Sequence, residues 1–426
     1  MPLLSARIGQ LEQDLAELDK EVQVRAQNSR FLASPETQEW HDALRAWIAD
    51  MHRFRTGFVE GKAGPGVDLY GVPNVPERLA QARAIDARIA SPEGVAVWSA
   101  ATEAIKVSPL YANARWPGRR GFVVQRGLWP LGADPISGLH EFAHLGSGTV
   151  PTRATDGQLK LTADSAIVLV LLPGGAVSAT YDEPLGDMSP KEEGEQTAFD
   201  LAPFFLGKYE VTQGQWRRIR YTDLSSLRPD MYAPPSSMTA DVALQLPLDS
   251  VSWTAASDGL GAAALSLPSE IQWHYGSFGA AQSKFPWGEE EAVLEGKANI
   301  SDQARRNDPG ENLEKDESHA RWNDGWARTA PVGRFAPNGF GLHDVAGNLA
   351  EWCSDGRTTP DPSGSVAPYW DPNTGARSGG VLKNPAVKGG HYAASSDQCR
   401  RGDPQYAHPG SSEPTNGVRA ARKVLP

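Results

Sequence analysis

PVGRFAPNGFGLHDVAGNLAEWCSD, residues 331–355, is the most informative segment of this chain. Glycine and asparagine interrupt it repeatedly, and its aromatic and apolar side chains recur without the period of a helix or a strand. Such a segment is held by turns, buried tryptophan and fixed backbone carbonyls rather than by long regular elements. It therefore predicts a domain that is rich in loops.

Two flanking segments strengthen this interpretation. LGKYEVTQGQW occupies residues 206–216, and VKGGHY, CRRGDP and NGVRAAR follow between residues 387 and 422. In this order the three blocks resemble the formylglycine-generating enzymes, also called sulfatase-modifying factors, over residues 165–426. The resemblance implies a variant of the C-type lectin fold. The whole chain also resembles the C-terminal half of bacterial proteins that join a protein kinase to such a domain, although it carries no kinase motif.

The overall pattern predicts an α+β protein in four segments. Apolar residues at spacings of three and four predict an amphipathic or coiled-coil helix over residues 1–30. This helix either packs on the next one or mediates self-association into a homo-oligomer. A helical domain at residues 31–118 follows, in which Pro92 starts a new helix after Ser91. A β-rich connecting segment at residues 119–164 leads to the sulfatase-modifying-factor-like domain at residues 165–426.

Composition excludes several classes of function. The formal net charge of −11 argues against a nucleic-acid partner, which requires a basic face, and against an anionic membrane surface. The N-terminus lacks the apolar region of a secretory signal, and no apolar run reaches the length of a membrane helix. Two cysteines, Cys353 and Cys399, are too few for a disulfide framework and suit a reducing compartment. We therefore expect a cytoplasmic protein of bacterial type.

The pentapeptide HEFAH at residues 140–144 satisfies the HExxH pattern of zinc proteases. That chemistry requires a helix, on which both imidazoles share one face and the glutamate activates a metal-bound water. Gly138 and Gly146 leave at most a short helix, and the neighbouring segments have the character of strands. We therefore interpret the motif as a coincidental strand.

The resemblance implies two calcium sites, for which hard oxygen ligands are present. The first would use the side chains of Asn299 and Asp324 with the carbonyls of Ile300 and Trp326. The second would use the following groups: the carbonyls of Ala346, Gly347 and Leu349, the side chain of Asn348, and the carboxylate of Glu351. Glu351 lies between apolar neighbours, so its burial requires a cation or hydrogen-bond donors. In the alternative interpretation, Asn348 and Glu351 cap turns or pair with an arginine such as Arg419.

The same resemblance raises the question of catalysis. Enzymes of the family bind copper between two cysteines five residues apart, and the copper activates oxygen to convert a substrate cysteine to formylglycine. The second cysteine matches Cys399, whereas the first falls on Ala394 and the active-site serine on His391. Alanine has no donor atom, and a lone thiolate binds copper in a weaker and different geometry. The sequence therefore argues against copper, although His391 and Cys399 form an alternative pair of nitrogen and sulfur ligands.

Polar and aromatic residues near the C-terminus have the composition of recognition loops. Those that we expect on a ligand-binding surface are Tyr392, Ser395, Ser396, Asp397, Tyr406 and His408. The alternative is an ordinary set of solvated loops. The sequence favours a non-catalytic ligand- or protein-binding module with a regulatory role and a protein partner. A copper-dependent oxidoreductase, with Cys399 and His391 as its catalytic residues, is the alternative.

Overall fold

The structure is a computed structural model. It describes Lys20 and residues 75–180, 196–220, 225–227, 238–279, 281–308, 320–360, 369–371, 373–378, 380–402 and 405–426. The chain divides into two compact units, Met1–Ala80 and Gln81–Pro426, and the second contains every site discussed below. The coiled-coil helix predicted at residues 1–30 lies outside the described residues, apart from Lys20.

The second unit combines helices with short strands, so it is an α+β structure. The α-helices are α1 (Val75–Ala90), α2 (Pro92–Val107), α3 (Gln213–Arg220), α4 (Ala240–Leu244), α5 (Trp253–Ala262), α6 (Glu270–Phe278) and α7 (Gln303–Arg306). Short 3-10 helices lie at Pro109–Tyr111, Glu291–Leu294 and Ser396–Cys399. No helix within the described ranges is both long enough and apolar enough to span a lipid bilayer.

The strands are listed here in chain order. They are β1 (Leu128–Ala133), β2 (His140–His144), β3 (Thr152–Arg153), β4 (Leu159–Lys160), β5 (Val168–Leu172), β6 (Gly175–Thr180), β7 (Gln196–Leu201), β8 (Phe204–Gly207), β9 (Ala350–Pro360), β10 (Tyr369–Trp370), β11 (Arg377–Ser378), β12 (Gly380–Lys388), β13 (Gln405–Tyr406), β14 (Asn416–Gly417) and β15 (Ala421–Lys423).

Local signals explain where the helices begin. The Ser91 hydroxyl accepts a hydrogen bond from the Gly94 amide, and Pro92 occupies the first turn, so α2 begins as predicted. At α6, Ser269 and Gln272 form a reciprocal capping box that satisfies two backbone amides. This helix directs Trp273 inward, where the side chain is buried.

The main sheet has five antiparallel strands in the order β1-β2-β5-β8-β15. Strand β5 (VLVLL) is buried along its whole length, as expected for a central strand with both faces covered. Phe142, Leu169, Leu171 and Phe205 are fully buried and belong to one continuous core. Residues 119–164, which the sequence predicted as a β-rich connection, thus contribute two strands to this sheet.

The pentapeptide HEFAH forms β2, which confirms the strand interpretation. Glu141 is fully buried and lies 2.6 Å from the Lys208 ammonium, which follows β8. Arg153 pairs with the second carboxylate oxygen, and Asp134 lies 3.2 Å from the same ammonium. We call Asp134, Glu141, Arg153 and Lys208 the buried ion cluster. It joins β2 to the chain that follows β8.

A second sheet of four strands, in the order β13-β12-β9-β14, supports the loops of interest. Strands β9 and β12 form a long antiparallel pair, in which Lys388 lies opposite Glu351. Strand β14 runs parallel to β9 and places Gly417 beside Glu351. The loop at residues 343–351 enters this sheet, and the chain at residues 389–399 leaves it.

Candidate functional site

The loop at residues 343–351 is fixed by side-chain amides. Asn348 adopts a left-handed backbone conformation with φ of 62°. Its side-chain oxygen accepts hydrogen bonds from Asn299 Nδ2 (3.0 Å) and the Ala330 amide (2.8 Å). Its side-chain nitrogen donates to Glu210 at 2.6 Å. Asparagine tolerates this backbone region and fills both roles at once, which explains its place in the turn.

Glu351 is paired with an arginine, in agreement with the alternative interpretation of the sequence. The Arg419 guanidinium donates to Oε1 at 2.6 Å through Nη2 and to Oε2 at 2.8 Å through Nε. Trp273 Nε1 donates to Oε2 at 2.6 Å. Arg419 also donates to the Gly207 carbonyl at 2.9 Å. Both charged side chains are buried, and a bidentate pair with further hydrogen bonds is the arrangement that such burial requires.

The surroundings of this pair are acidic. Glu210 and Asp344 are also buried, and the Arg419 guanidinium is the cation that lowers the pKa of both. Burial raises the pKa of Asp344 to about 7, against the opposing effects of the Gly333 amide and Arg419. Burial likewise raises the pKa of Glu210, and Asp344 and Glu351 raise it further. The loop therefore holds at least one carboxyl group that titrates near neutral pH.

Replacement of Asp344 by asparagine should reduce the pH dependence of stability. The folded-state pKa of Asp344 is higher than its unfolded value, so its contribution is fully present below about pH 4 and is lost as the pH rises through 7. In the wild-type protein this carboxyl group lowers the free energy of unfolding by about 1 kcal/mol per pH unit within that window. In the variant, we expect this decrease to be absent. Asparagine also tolerates the φ of 57° at this position.

Urea denaturation of both proteins between about pH 4 and pH 7 would measure the effect. His144, His274 and His343 have pKa values that are lowered by burial. Their protonation at low pH therefore decreases the free energy of unfolding, which is the opposite of the effect of Asp344. The difference between wild type and Asp344→Asn therefore isolates the carboxyl group. A difference that does not change with pH would show that Asp344 does not titrate there.

The residues that the resemblance assigns to the first calcium site include two buried side-chain oxygens that accept no hydrogen bond from the described residues. Asn299 Oδ1 and Asp324 Oδ2 have no donor within the described part of the chain. The other Asp324 oxygen accepts from the Trp326 amide at 2.7 Å, and the Ile300 amide also donates to this carboxylate. Burial, followed by the nearby Asp302, raises the pKa of Asp324 to about 7. These residues fit a hard cation, because it would compensate both the orphaned oxygens and the adjacent acidic charge.

Residues assigned to the second calcium site fit a cation poorly. Arg419 and Trp273 already engage both oxygens of Glu351. The Asn348 side-chain oxygen has two donors, and its backbone carbonyl accepts from the Tyr392 amide at 3.0 Å. The Arg419 guanidinium thus supplies the positive charge that the sequence pattern assigned to calcium. The three remaining ligands, the carbonyls of Ala346, Gly347 and Leu349, belong to the same buried turn.

Cys399 lies at the end of a 3-10 helix and is buried in an apolar cluster. The other members of this cluster are Phe285, Leu294, Ala298, Ile300, Ala320 and Ala346. Gly390 adopts a φ of 70°, and a Cβ atom there would lie 2.7 Å from the sulfur of Cys399. Glycine is therefore required at this close approach. Ala394 is also buried, and its carbonyl accepts a hydrogen bond from the Ser301 amide at 2.8 Å.

His391 is a neutral imidazole with a defined tautomer. Burial, followed by the charge of Arg305, lowers its pKa to about 4. Its Nδ1 accepts a hydrogen bond from the Ala393 amide at 3.2 Å, so the proton resides on Nε2. His391 therefore acts as a hydrogen-bond donor in this loop. The adjacent Tyr392 lies 5.2 Å beneath the Arg305 guanidinium, a cation–π distance.

The residues expected on a ligand-binding surface differ in exposure. Tyr392 and Ser396 are buried, Ser395 and Tyr406 are half-buried, and Asp397 and His408 are exposed. They also pack in different places. Tyr392 contacts the cluster of Leu227 and Leu349, whereas Tyr406 packs on Trp273 and Ala386. The structure therefore does not gather them on one exposed face, and Tyr392 and Ser396 support the loop from inside.

Sequence reasoning missed several residues that shape the site. Asp302 caps α7 through the Ala304 amide and accepts a hydrogen bond from the Asp324 amide at 2.6 Å. Glu210 holds the Leu349 amide at 2.9 Å. Glu210 lies between Tyr209 and Val211 in a run with the character of a strand, and an acidic residue in such a position was the signal that could have indicated a buried role. Nothing in the local sequence indicated Arg305, because its partner Tyr392 lies far along the chain.

Comparison with known proteins agrees with this architecture. Residues 158–424 match the family described as "Sulfatase-modifying factor enzyme 1-like domain", and the chain belongs to this family. A formylglycine-generating enzyme of Thermomonospora curvata is 27% identical over 55% of this chain and 85% of its own length. The serine/threonine-protein kinase pkn1 of Chlamydia caviae is 26% identical over 60% of this chain and 38% of its own length.

Among solved structures, Treponema denticola variable protein 1 aligns with a TM-score of 0.42 and 20% identity. The alignment covers 61% of this chain and 96% of that protein. The family match over residues 158–424 agrees with the resemblance that the sequence motifs indicated.

Proposed function

We propose that this protein is a non-catalytic ligand- or protein-binding module on a sulfatase-modifying-factor scaffold. One observation carries the proposal: Cys399 matches the second cysteine of the family's copper site, and Ala394 occupies the position of the first cysteine. A methyl group donates no electron pair to a metal. Two thiolates hold copper(I) in a near-linear geometry that one thiolate does not supply.

The environment of Cys399 supports the same proposal. Its sulfur lies within the apolar cluster and against the Gly390 backbone. A cysteine that is buried in apolar surroundings serves packing rather than reaction. His391, which replaces the serine, presents a neutral N–H donor and so suits hydrogen bonding to a partner. Both free cysteines are buried, which supports a role in the reducing cytoplasm.

We propose a protein partner and a regulatory role. Asp397 and His408 are the exposed members of the predicted recognition set, and Ser395 and Tyr406 are partly accessible. The partly accessible Tyr406 is held by Arg357, whose guanidinium lies 4.3 Å over the ring. A rigid aromatic side chain with small polar neighbours is typical of protein-binding loops.

A copper-dependent oxidoreductase is the second candidate, because relatives such as the Thermomonospora curvata protein are named formylglycine-generating enzymes. The replacement Ala394→Cys distinguishes the two functions. We expect the wild-type protein to leave the thiol of a CxPxR peptide intact in the presence of copper(I) and oxygen. The variant should gain copper(I) affinity by about 100-fold or more, because a second soft ligand is worth several kcal/mol.

Competition with a chromogenic copper(I) chelator measures the affinity, and mass spectrometry of the peptide measures turnover. Ala393→Cys is the matched control, because Ala393 packs against Leu227 and Tyr392 rather than in the cluster of Cys399. Wild-type turnover that Cys399→Ser abolishes would overturn the non-catalytic proposal.

We also propose one calcium ion at the first site, held by the side chains of Asn299 and Asp324. Calorimetric titration should detect about one equivalent of calcium per chain, and Asp324→Asn should weaken the binding by at least about ten-fold, because a charged ligand is lost. Asp308→Asn is the control, since Asp308 pairs with Arg328 at 2.8 Å. Binding that is unchanged in Asp324→Asn would place the ion elsewhere.

A further inference from the structure

A cleft beside the last strand is separate from the loops at residues 389–408. It has a volume of about 530 Å³ and lies between β15, the turn that precedes α6, the start of β9, and the chain next to β11. Leu265, Leu267, Ala376, Ala421 and Leu425 give it apolar walls. Clefts of this size that are mostly apolar are typical of small-molecule sites.

Unpaired donors line this cleft. Gln272 is 8% exposed, and its Oε1 accepts from the Ser269 amide at 3.0 Å in the capping box of α6. The capping bond uses the oxygen, so Gln272 Nε2 remains without an acceptor among the described residues. The Ser354 hydroxyl, on β9, also has no partner within those ranges, and its side chain is half-buried. The Gln272 amide nitrogen and the Ser354 hydroxyl can therefore each donate a hydrogen bond to a ligand in the cleft.

Lys423 adds a positive charge to the cleft. Side chains alternate along β15, so those of Ala421 and Lys423 share one face of the strand. Arg422 also lines the cleft, and its guanidinium donates to the Arg126 carbonyl at 2.7 Å. Lys423 is exposed, and no carboxylate pairs with it in the described part of the chain. Among the described residues that line the cleft, none has an acidic side chain.

We propose that this cleft binds an amphipathic organic anion, in which a carboxylate pairs with Lys423 and an apolar body covers the leucine and alanine walls. Donors without acceptors and the Lys423 ammonium match the two oxygens of a carboxylate, which accepts without donating. The inference does not rest on the proposed function, because the cleft shares no residue with the site around Cys399 and His391.

Fluorescence titration with anilinonaphthalenesulfonate, an apolar aromatic anion, tests the proposal on the full chain. We expect saturable binding of about one equivalent and displacement by decanoate but not by decanol, which lacks the charge. Lys423→Met should weaken binding by about ten-fold or more, as expected for a lost charged hydrogen bond. Ala376→Phe should block the cleft.

Lys383→Met is the matched control, because Lys383 is also exposed but does not line the cleft. Thermal unfolding verifies that each variant remains folded. If Ala376→Phe does not fold, two comparisons still test the proposal. They are Lys423→Met against Lys383→Met, and decanoate against decanol. Equal displacement by decanol, or equal affinity in Lys423→Met and wild type, would overturn the proposal. An absence of saturable binding would overturn it as well.

Discussion

Replacement of Arg419 by methionine should lower the free energy of unfolding by about 3–5 kcal/mol, the typical cost of removing one partner of a buried ion pair. Glu351 would remain buried without its guanidinium, beside Glu210 and Asp344. Arg419 also donates to the carbonyls of Gly207 and of His343, at 2.9 and 2.8 Å. The substitution therefore leaves several buried acceptors unsatisfied at once, and each adds to the loss.

Chemical denaturation monitored by tryptophan fluorescence would measure this loss. Arg422→Met is the matched control: Arg422 is a buried arginine three residues further on, but its hydrogen bond is to a backbone carbonyl and not to a carboxylate. The double variant Arg419→Met/Glu351→Gln should recover part of the loss, because the unpaired charge is gone. A loss no larger than that of Arg422→Met would show that the Glu351 pair does not stabilise the loop.

Replacement of Lys208 by methionine should have a similar effect, a loss of about 3–5 kcal/mol in the free energy of unfolding. Lys208 is buried and lies 2.6 Å from Glu141 and 3.2 Å from Asp134. Methionine preserves the apolar length of the side chain but leaves both carboxylates without their shared cation. Arg153, on the more exposed side, would then be the remaining cation of the buried ion cluster.

Denaturation in urea would measure this second effect, with Lys160→Met as the control, because Lys160 is an exposed lysine on β4. Lys208→Met/Glu141→Gln should be more stable than Lys208→Met alone, since it removes one uncompensated charge. If the single variant is as stable as Lys160→Met, the buried ion cluster contributes nothing to the attachment of β2.

Local patterns predicted local structure well. The capping signal of Ser91 with Pro92 lies within a few residues of the helix that it starts, so the sequence located the start of α2. The glycines around HEFAH likewise favoured a strand over a helix, as observed. The family assignment rested on three separate blocks in the right order, and a match over residues 158–424 confirms it.

Contacts between distant residues were beyond such patterns. Glu351 needed a cation or donors, but the sequence could not choose between calcium and Arg419, which lies 68 residues further along the chain. The partnership of Lys208 with Glu141 and Asp134 had no local signal either. Tyr392 and Ser396 have the composition of a surface loop, yet both are buried, and Tyr392 packs against Leu227 and Leu349.

The attachment of β2 to β5 also determines where the folded domain begins in the chain. Residues 128–144 precede the segment that matches the family, but they cover one edge of β5 and supply two acids to Lys208. A fragment that starts at residue 158 would expose the edge of β5, which could then pair with other chains. It would also leave the buried Lys208 ammonium without its two carboxylates. A fragment that keeps the five-stranded main sheet intact must therefore begin before Leu128.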